Sequence, residues 1–148
     1  MSGKYDLAEL FGTNVLDQHK NKVDVSYITG DGKYVGIYFS AHWCPPCRGF
    51  TPVLAEFYNK IKKNGQLEIV FVSSDRDQAS FDSYYKEMPW LALSFEDREI
   101  KAKLCETFEV RGIPCFVLLD GSTGKLITKD GRSRVAGDPE GADFPWKQ

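Results

Sequence analysis

The stretch "SAHWCPPCRGF" (residues 40–50) carries two cysteines, Cys44 and Cys47, that are separated only by two prolines. It overlaps the end of the run "KYVGIYFSA" (33–41), whose β-branched and aromatic residues predict a buried strand. After it, apolar residues recur at the spacing of a helix. The two cysteines are therefore predicted to lie where a strand passes into a helix.

The rest of the chain alternates strand and helix patterns. Buried strands are predicted for "LEIVFVSSD" (67–75) and "GIPCFVLLD" (112–120), and a hairpin partner for "LITKDGR" (126–132). Helical patterns end at Asn64-Gly65 and at Pro89, and a third one precedes residue 112. This order predicts an α/β fold with a central mixed sheet flanked by helices, in a single domain over residues 1–148.

The composition limits the partners and the location. The chain has 148 residues with 42% hydrophobic residues, a net charge of −2 and no basic stripe, so direct nucleic acid binding is not expected. The sequence carries no targeting signal pattern and no 18-residue apolar run, so no membrane partner is expected either. We expect a cytoplasmic protein, with additional entry into the nucleus left as an alternative. In a reducing compartment, a close cysteine pair is typically catalytic or metal-binding.

The spacing of the pair suits thiol–disulfide exchange. On the first turn of a helix, Cys44 and Cys47 share one face and are close enough to form a disulfide. The intervening Pro45 and Pro46 lack N–H groups, which the first helical turn does not need for its internal hydrogen bonds. The oriented peptide dipoles at this helix end favour a thiolate. We expect Cys44 to attack a partner's disulfide and Cys47 to resolve the mixed disulfide.

Zinc binding and inert core cysteines are the alternatives for this pair. A four-cysteine zinc site would need Cys105 and Cys115 as its second half. These residues are ten positions apart, on segments predicted to be a helix and a strand rather than a zinc knuckle. The sequence therefore predicts no metal and no cofactor.

The motifs "WCPPCR" and "GIPCF", with "VFVSSDRD", "EMPWLAL", "ITKDGR" and "DFPW" in the same order, resemble the thioredoxin superfamily, in its tryparedoxin and nucleoredoxin branch. The resemblance covers nearly the whole chain. It implies a thioredoxin fold and thiol–disulfide oxidoreductase activity, with Cys44 as nucleophile and Cys47 as resolving cysteine. It also implies a cis peptide bond before Pro114. The substrate-docking residues it implies are Trp43, Pro45, Pro46, Ile113 and Pro114.

Four positions differ from the pattern of the family. Tyr38 stands where typical thioredoxins carry a buried acid, so Tyr38 or water is the candidate for moving the proton of the resolving cysteine. Ser74 and Arg76 stand where tryparedoxins tend to carry a tryptophan and an acid, which favours the nucleoredoxin-like interpretation. Cys115 replaces the usual threonine after the cis-proline, and is either an auxiliary thiol or a small buried residue.

Two functional interpretations remain besides zinc binding. The first is a protein-disulfide reductase, whose partners are protein disulfides and an unidentified thiol or reductase that donates electrons. The second is a redox-dependent binding module that holds a signalling or transcription factor in one oxidation state.

Overall fold

A computed structural model of the chain describes residues 5–62 and 66–146, so the helix end predicted at Asn64-Gly65 lies outside the described residues. The strands are β1 (Asn14–Leu16), β2 (Lys22–Asp24), β3 (Tyr34–Ser40), β4 (Leu67–Ser73), β5 (Leu91–Ala92), β6 (Cys115–Asp120) and β7 (Leu126–Thr128). The α-helices are α1 (Leu7–Phe11), α2 (Pro45–Lys62), α3 (Gln78–Tyr85), α4 (Arg98–Thr107) and α5 (Gly131–Gly137), and a 3₁₀ turn covers Val25–Ile28.

The strands form one mixed sheet in the order β2-β1-β5-β4-β3-β6-β7. β3 lies at its centre, parallel to β4 and antiparallel to β6. Almost every residue of these three strands is buried, as expected for strands that helices cover on both faces. The predicted α/β fold, a central mixed sheet flanked by helices, is confirmed.

Two apolar clusters pack against the two faces of the sheet. The first joins α2, α3 and α5 to side chains such as Tyr38 and Phe71, and the second joins α1 and α4 to side chains such as Ile37 and Phe39. Since successive strand residues point to opposite faces, Tyr38 lies on the α2 side and its two neighbours lie on the α4 side. The end of β3 thus leads directly into α2, whose first turn carries the cysteine pair.

The predicted hairpin partner strand over residues 126–132 is wrong in its second half. β7 ends at Thr128, and residues from Gly131 onward form α5. A Cβ atom at Gly131 would lie 2.7 Å from the carbonyl oxygen of Phe116, so this glycine lets the helix start close against β6. The short strands β1, β2 and β5 also carry too few residues for a sequence pattern to reveal them.

Trp90 and Trp146 are buried packing residues of the α2-side cluster. Among the helices of the described residues, none is long and apolar enough to cross a membrane.

Candidate active site

The cysteine pair lies at the junction of β3 and α2. Cys44 immediately precedes α2, and Cys47 lies in the first helical turn. The amide nitrogen of Cys47 donates to Cys44 Sγ over 3.3 Å. Both residues are free thiols, and they pack together with Ala41 and Ile113. The predicted placement of the pair at a strand-to-helix turn is confirmed.

The two prolines explain why that hydrogen bond forms. Pro45 and Pro46 have no N–H, so the amide of Cys47 is the first donor that α2 offers. It points at the sulfur of Cys44 rather than at water, and a hydrogen bond from a backbone amide favours the charged form of its acceptor. The Cys44 sulfur therefore accepts a hydrogen bond from the first N–H that α2 carries.

The two sulfurs have different surroundings. Cys44 keeps 5% of its surface exposed, whereas Cys47 is completely buried. The pKa of the Cys47 thiol is raised to about 11, mainly by burial and also by the hydrogen bond with Cys44, although the Ser40 hydroxyl lowers it. Cys47 consequently stays protonated at neutral pH.

A cluster of buried hydroxyl groups lies beneath Cys47, which we call the hydroxyl cluster: Tyr38, Ser40, Thr51 and Tyr84. Thr51 Oγ1 lies 2.7 Å from the Tyr38 hydroxyl and 2.5 Å from the Tyr84 hydroxyl, and it donates to the Cys47 carbonyl over 2.9 Å. Ser40 Oγ lies 2.7 Å from the Tyr84 hydroxyl. All four side chains are buried.

The hydroxyl cluster can serve both protonation states of Cys47. Each hydroxyl has one proton and two lone pairs, so the Ser40 O–H can rotate to donate to a different acceptor. Ser40 Oγ contacts the Tyr84 hydroxyl, and a hydrogen bond from Ser40 lowers the pKa of Cys47. Because burial raises the pKa of Tyr38 and Tyr84, these groups act as neutral donors, not as bases. The Tyr38 hydroxyl faces the Cys47 carbonyl oxygen at 3.4 Å rather than the sulfur, and its part in proton transfer stays a prediction.

The loop after β4 fixes the loop that precedes Cys44. Trp43 Nε1 donates to the backbone carbonyl of Ser74 over 3.0 Å, and the amide of His42 donates to Asp75 Oδ1 over 2.8 Å. Asp75 Oδ2 accepts from the Ser73 hydroxyl over 2.7 Å. The indole is thereby held at the surface, with 49% of Trp43 exposed.

Arg98 supports this loop from the α4 side. Its Nη1 donates to the Ser73 carbonyl over 2.9 Å and its Nε to the Phe95 carbonyl over 2.6 Å. Burial lowers the pKa of Arg98, and the charge of Asp75 opposes that shift. The buried aspartate and the guanidinium therefore stabilise each other beneath the Trp43 loop.

The predicted docking residues surround Cys44. The Ile113–Pro114 bond is cis, as predicted, and the Ile113 carbonyl oxygen lies 3.8 Å from Cys44 Sγ. Pro45 and Pro46 are exposed on the first turn of α2, whereas Pro114 is buried. Their contacts with a substrate stay a prediction.

Cys115 lies apart from the pair. It packs with Cys105 against the α4-side cluster, and its sulfur lies 4.0 Å from the Lys129 carbonyl oxygen. Burial raises the pKa of both thiols. The structure thus places Cys115 on the face of the sheet opposite to α2, and its auxiliary role stays a prediction. Within residues 5–62 and 66–146, no group of three or more His, Cys, Asp or Glu side chains is placed to hold a metal ion.

Sequence analysis did not identify Ser40, Thr51, Tyr84, Asp75 or Arg98 as site residues. Tyr84 is buried, and nothing in its spacing indicates the polar partners of its hydroxyl. The available signal is two polar residues at buried positions, Ser40 at the end of the apolar strand β3 and Thr51 on the buried face of α2.

A dithiol at a strand-to-helix turn, facing a cis-proline beside a central mixed sheet, defines a thioredoxin-like protein. The chain belongs to the thioredoxin-like oxidoreductase family, since the family model described as "Thioredoxin-like" matches residues 31–126. Tryparedoxin of Trypanosoma brucei brucei is 50% identical over 115 residues, which cover 78% of this chain and 80% of that protein. Nucleoredoxin of Danio rerio is 44% identical over 145 residues, which cover 97% of this chain but 34% of that protein. The chain thus spans about a third of the length of that nucleoredoxin.

Solved structures agree with this assignment. Tryparedoxin from Trypanosoma brucei superposes with a TM-score of 0.89 at 45% identity, covering 100% of both chains. Tryparedoxin II complexed with glutathionylspermidine gives a TM-score of 0.89 at 40% identity, covering 96% of this chain and 99% of that one. The predicted thioredoxin fold and the resemblance to tryparedoxins and nucleoredoxins are confirmed.

Proposed function

We propose that this protein reduces disulfides by cycling between a Cys44/Cys47 dithiol and a Cys44–Cys47 disulfide. The observation that carries the proposal is the asymmetry of the pair. Cys44 accepts a hydrogen bond from the Cys47 amide at 3.3 Å and keeps 5% of its surface exposed, while Cys47 is completely buried with its pKa raised to about 11. Cys44 is thus the sulfur that attacks, and Cys47 remains a protonated thiol until the second step.

The cycle has two exchange steps. The Cys44 thiolate attacks one sulfur of the substrate disulfide, and the second substrate sulfur leaves as a thiolate and takes up a proton. Cys47 then gives up its proton and attacks Cys44 Sγ, which breaks the mixed disulfide and releases the remaining substrate thiol. Two electrons pass from the protein dithiol to the substrate disulfide.

The proposed substrates are protein disulfides that lie against Ile113 and the exposed Trp43. The backbone carbonyl of Ile113 lies 3.8 Å from Cys44 Sγ, so an extended segment that reaches Cys44 would lie against the main chain of Ile113 and pair with it. The protein returns to its dithiol state when a thiol or a reductase donates electrons. The complex of tryparedoxin II with glutathionylspermidine supports a small glutathione-type thiol as that donor. We place the cycle in the cytoplasm, where the thiol pool keeps such pairs reduced.

A second candidate function is redox-dependent binding of a signalling or transcription factor. The observation that favours it is the exposed indole of Trp43 directly beside the pair, since exposed aromatic side chains are common anchors of protein interfaces. Replacing both Cys44 and Cys47 with serine distinguishes the two functions. A binding module keeps its partner in this double variant, whereas a reductase loses all exchange with its substrate.

The test of the reductase function is the reduction of a model protein disulfide by the dithiol protein, followed by free-thiol release. We expect Cys44→Ser to abolish the reaction. Cys47→Ser should stop after the first step and leave a mixed disulfide on Cys44 that mass spectrometry detects. Cys105→Ser is the control and should react like the unaltered protein. Undiminished reduction by Cys44→Ser would contradict the proposal.

A further inference from the structure

A positive charge lies directly beside the exposed indole. Arg76 follows β4 in the loop that leads to α3, and its guanidinium carbon lies 5.3 Å from the centre of the Trp43 ring. Both side chains are exposed, and Trp43 immediately precedes Cys44. We call Trp43 and Arg76 the Trp43 rim. A disulfide that reaches Cys44 therefore comes close to the indole ring of Trp43 and the guanidinium of Arg76.

The acidic residues on either side of Arg76 are already engaged. Asp75 is buried and accepts from the Ser73 hydroxyl and the His42 amide. Asp77 caps the start of α3 by accepting from the Ser80 amide over 2.7 Å. The ion pairs of the described residues do not include Arg76. Its charge is therefore available to an incoming molecule.

The first turn of α2 adds a second positive charge. Arg48 follows Cys47, is exposed, and likewise enters no ion pair within the described part of the chain. Asp75 is buried opposite Arg98, and the Asp77 carboxylate is exposed but turned to the Ser80 amide at the start of α3. Arg48 and Arg76 thus outnumber the one exposed carboxylate of this segment, although the chain as a whole carries a net charge of −2.

We propose that the Trp43 rim selects disulfides that carry carboxylates close to the scissile bond. This inference rests on the proposed function, because it names the substrate class of the same site. Carboxylates suit the guanidinium, which forms paired hydrogen bonds with them, while the indole supports the apolar part of the substrate. The carboxylates can come from a glutathione-type disulfide or from acidic residues beside a protein disulfide. In both cases the guanidinium of Arg76 recognises a carboxylate.

The expected size of the effect follows from Coulomb's law. One pair of opposite charges about 6 Å apart in a water-like medium changes an equilibrium by a factor of about three. Arg76→Glu reverses the sign of the charge, so it should lower the rate with a carboxylate-flanked disulfide by about tenfold at low salt. The effect should shrink as salt screens the charges.

The test compares three probes under single-turnover conditions: glutathione disulfide and two synthetic peptide disulfides of equal length, one flanked by glutamates and one by lysines. The dithiol protein is mixed with each probe at low and high salt, and acid-quenched products are separated to give second-order rate constants. We expect the glutamate peptide to react faster than the lysine peptide, and Arg76→Glu to invert the order.

Lys22→Glu is the matched control. Lys22 is exposed on the edge strand β2, which is separated from β3 by three other strands, or about 19 Å. Lys22→Glu changes the net charge by the same amount as Arg76→Glu and should leave the order of the two peptide rates unchanged. If Lys22→Glu inverts that order as well, net charge and not the Trp43 rim sets the preference, and the inference is overturned.

Equal rates for the two peptides in the unaltered protein, together with no change in the rate with glutathione disulfide on Arg76→Glu, would also overturn the inference while leaving the proposed function intact. A failure of the proposed function is recognised separately, because then no probe reacts in a Cys44-dependent manner. A charge effect with glutathione disulfide alone supports the small-molecule source, and one with the glutamate peptide alone supports an acidic protein segment.

Discussion

Replacing Ser40 with alanine should slow the second step of the exchange while leaving the first step unchanged. The Ser40 hydroxyl lowers the pKa of Cys47, which burial nonetheless raises to about 11. At pH 7.5 such a pKa leaves roughly one Cys47 thiol in three thousand ionised. Any change in the fraction of Cys47 that is thiolate therefore changes the rate of the resolving step. Cys44 has its own donor in the amide of Cys47, which the substitution does not touch.

The expected magnitude comes from two opposing effects. A hydrogen bond to a thiolate contributes about 1.5 kcal/mol, so its loss raises the pKa of Cys47 by about one unit and cuts the thiolate population about tenfold. The more basic thiolate is intrinsically more nucleophilic, which offsets about threefold of that loss. The resolving step of Ser40→Ala should therefore be roughly threefold slower at neutral pH.

The assay uses an aromatic disulfide whose released thiol is coloured, in a background with Cys105→Ser and Cys115→Ser. The first burst of colour reports the attack by Cys44, and the second reports resolution by Cys47. In the protein with Ser40, the second rate should rise tenfold per pH unit and level off near the pKa of about 11. Ser83→Ala, at an exposed position of α3, is the control. An unchanged second phase in Ser40→Ala, or an equal slowing in Ser83→Ala, would refute the reasoning.

Three further predictions concern stability. Asp75→Ala leaves the Ser73 hydroxyl and the His42 amide without their acceptor and removes the charge that faces Arg98, so urea unfolding should show a loss of about 3 kcal/mol; a loss below about 1 kcal/mol would contradict this role of Asp75. Gly36→Ala drives a methyl group into the Phe116 ring and should cost about 1 to 3 kcal/mol, whereas Gly49→Ala meets no atom within 4 Å on α2 and should stabilise by about 0.5 to 1 kcal/mol; thermal melts that rank the two variants in the other order would exclude this packing. Folding raises the pKa of Cys47 from 9.0 to about 11. The contribution of the protonated Cys47 thiol to the free energy of unfolding is therefore complete below pH 9 and is lost as the pH rises toward 11. The reduced protein should lose stability across that window, and Cys47→Ala should lose less.

The central strands and α2 could be predicted because their residues obey one simple pattern each. The runs at 33–41 and 67–75 are mostly apolar without regular polar alternation, which is what burial on both faces of a sheet requires. The prolines between the cysteines likewise matched the first turn of a helix, the one place that tolerates them. The cis bond before Pro114 followed from the resemblance to a family and not from local chemistry.

The hydroxyl cluster could not be predicted because its members come from three separate elements. Ser40 and Tyr84 are 44 positions apart, and only the packing of α3 on the sheet brings their oxygens within 2.7 Å. A buried tyrosine looks like any other core aromatic in the sequence, and its hydroxyl partner is a property of the tertiary fold. The same holds for Asp75, whose burial depends on donors that the His42 amide and Ser73 supply.

The bond between the Trp43 indole and the loop after β4 has a consequence for how this protein can diversify. The acceptor is the main-chain carbonyl of Ser74, so any amino acid at that position retains it. The side chains of residues 74 and 76 can accordingly be exchanged without releasing the indole or disturbing the dithiol. The loop after β4 can thus be replaced as a unit. Grafting it between relatives should transfer their choice of partner while thiol–disulfide exchange by the dithiol stays the same.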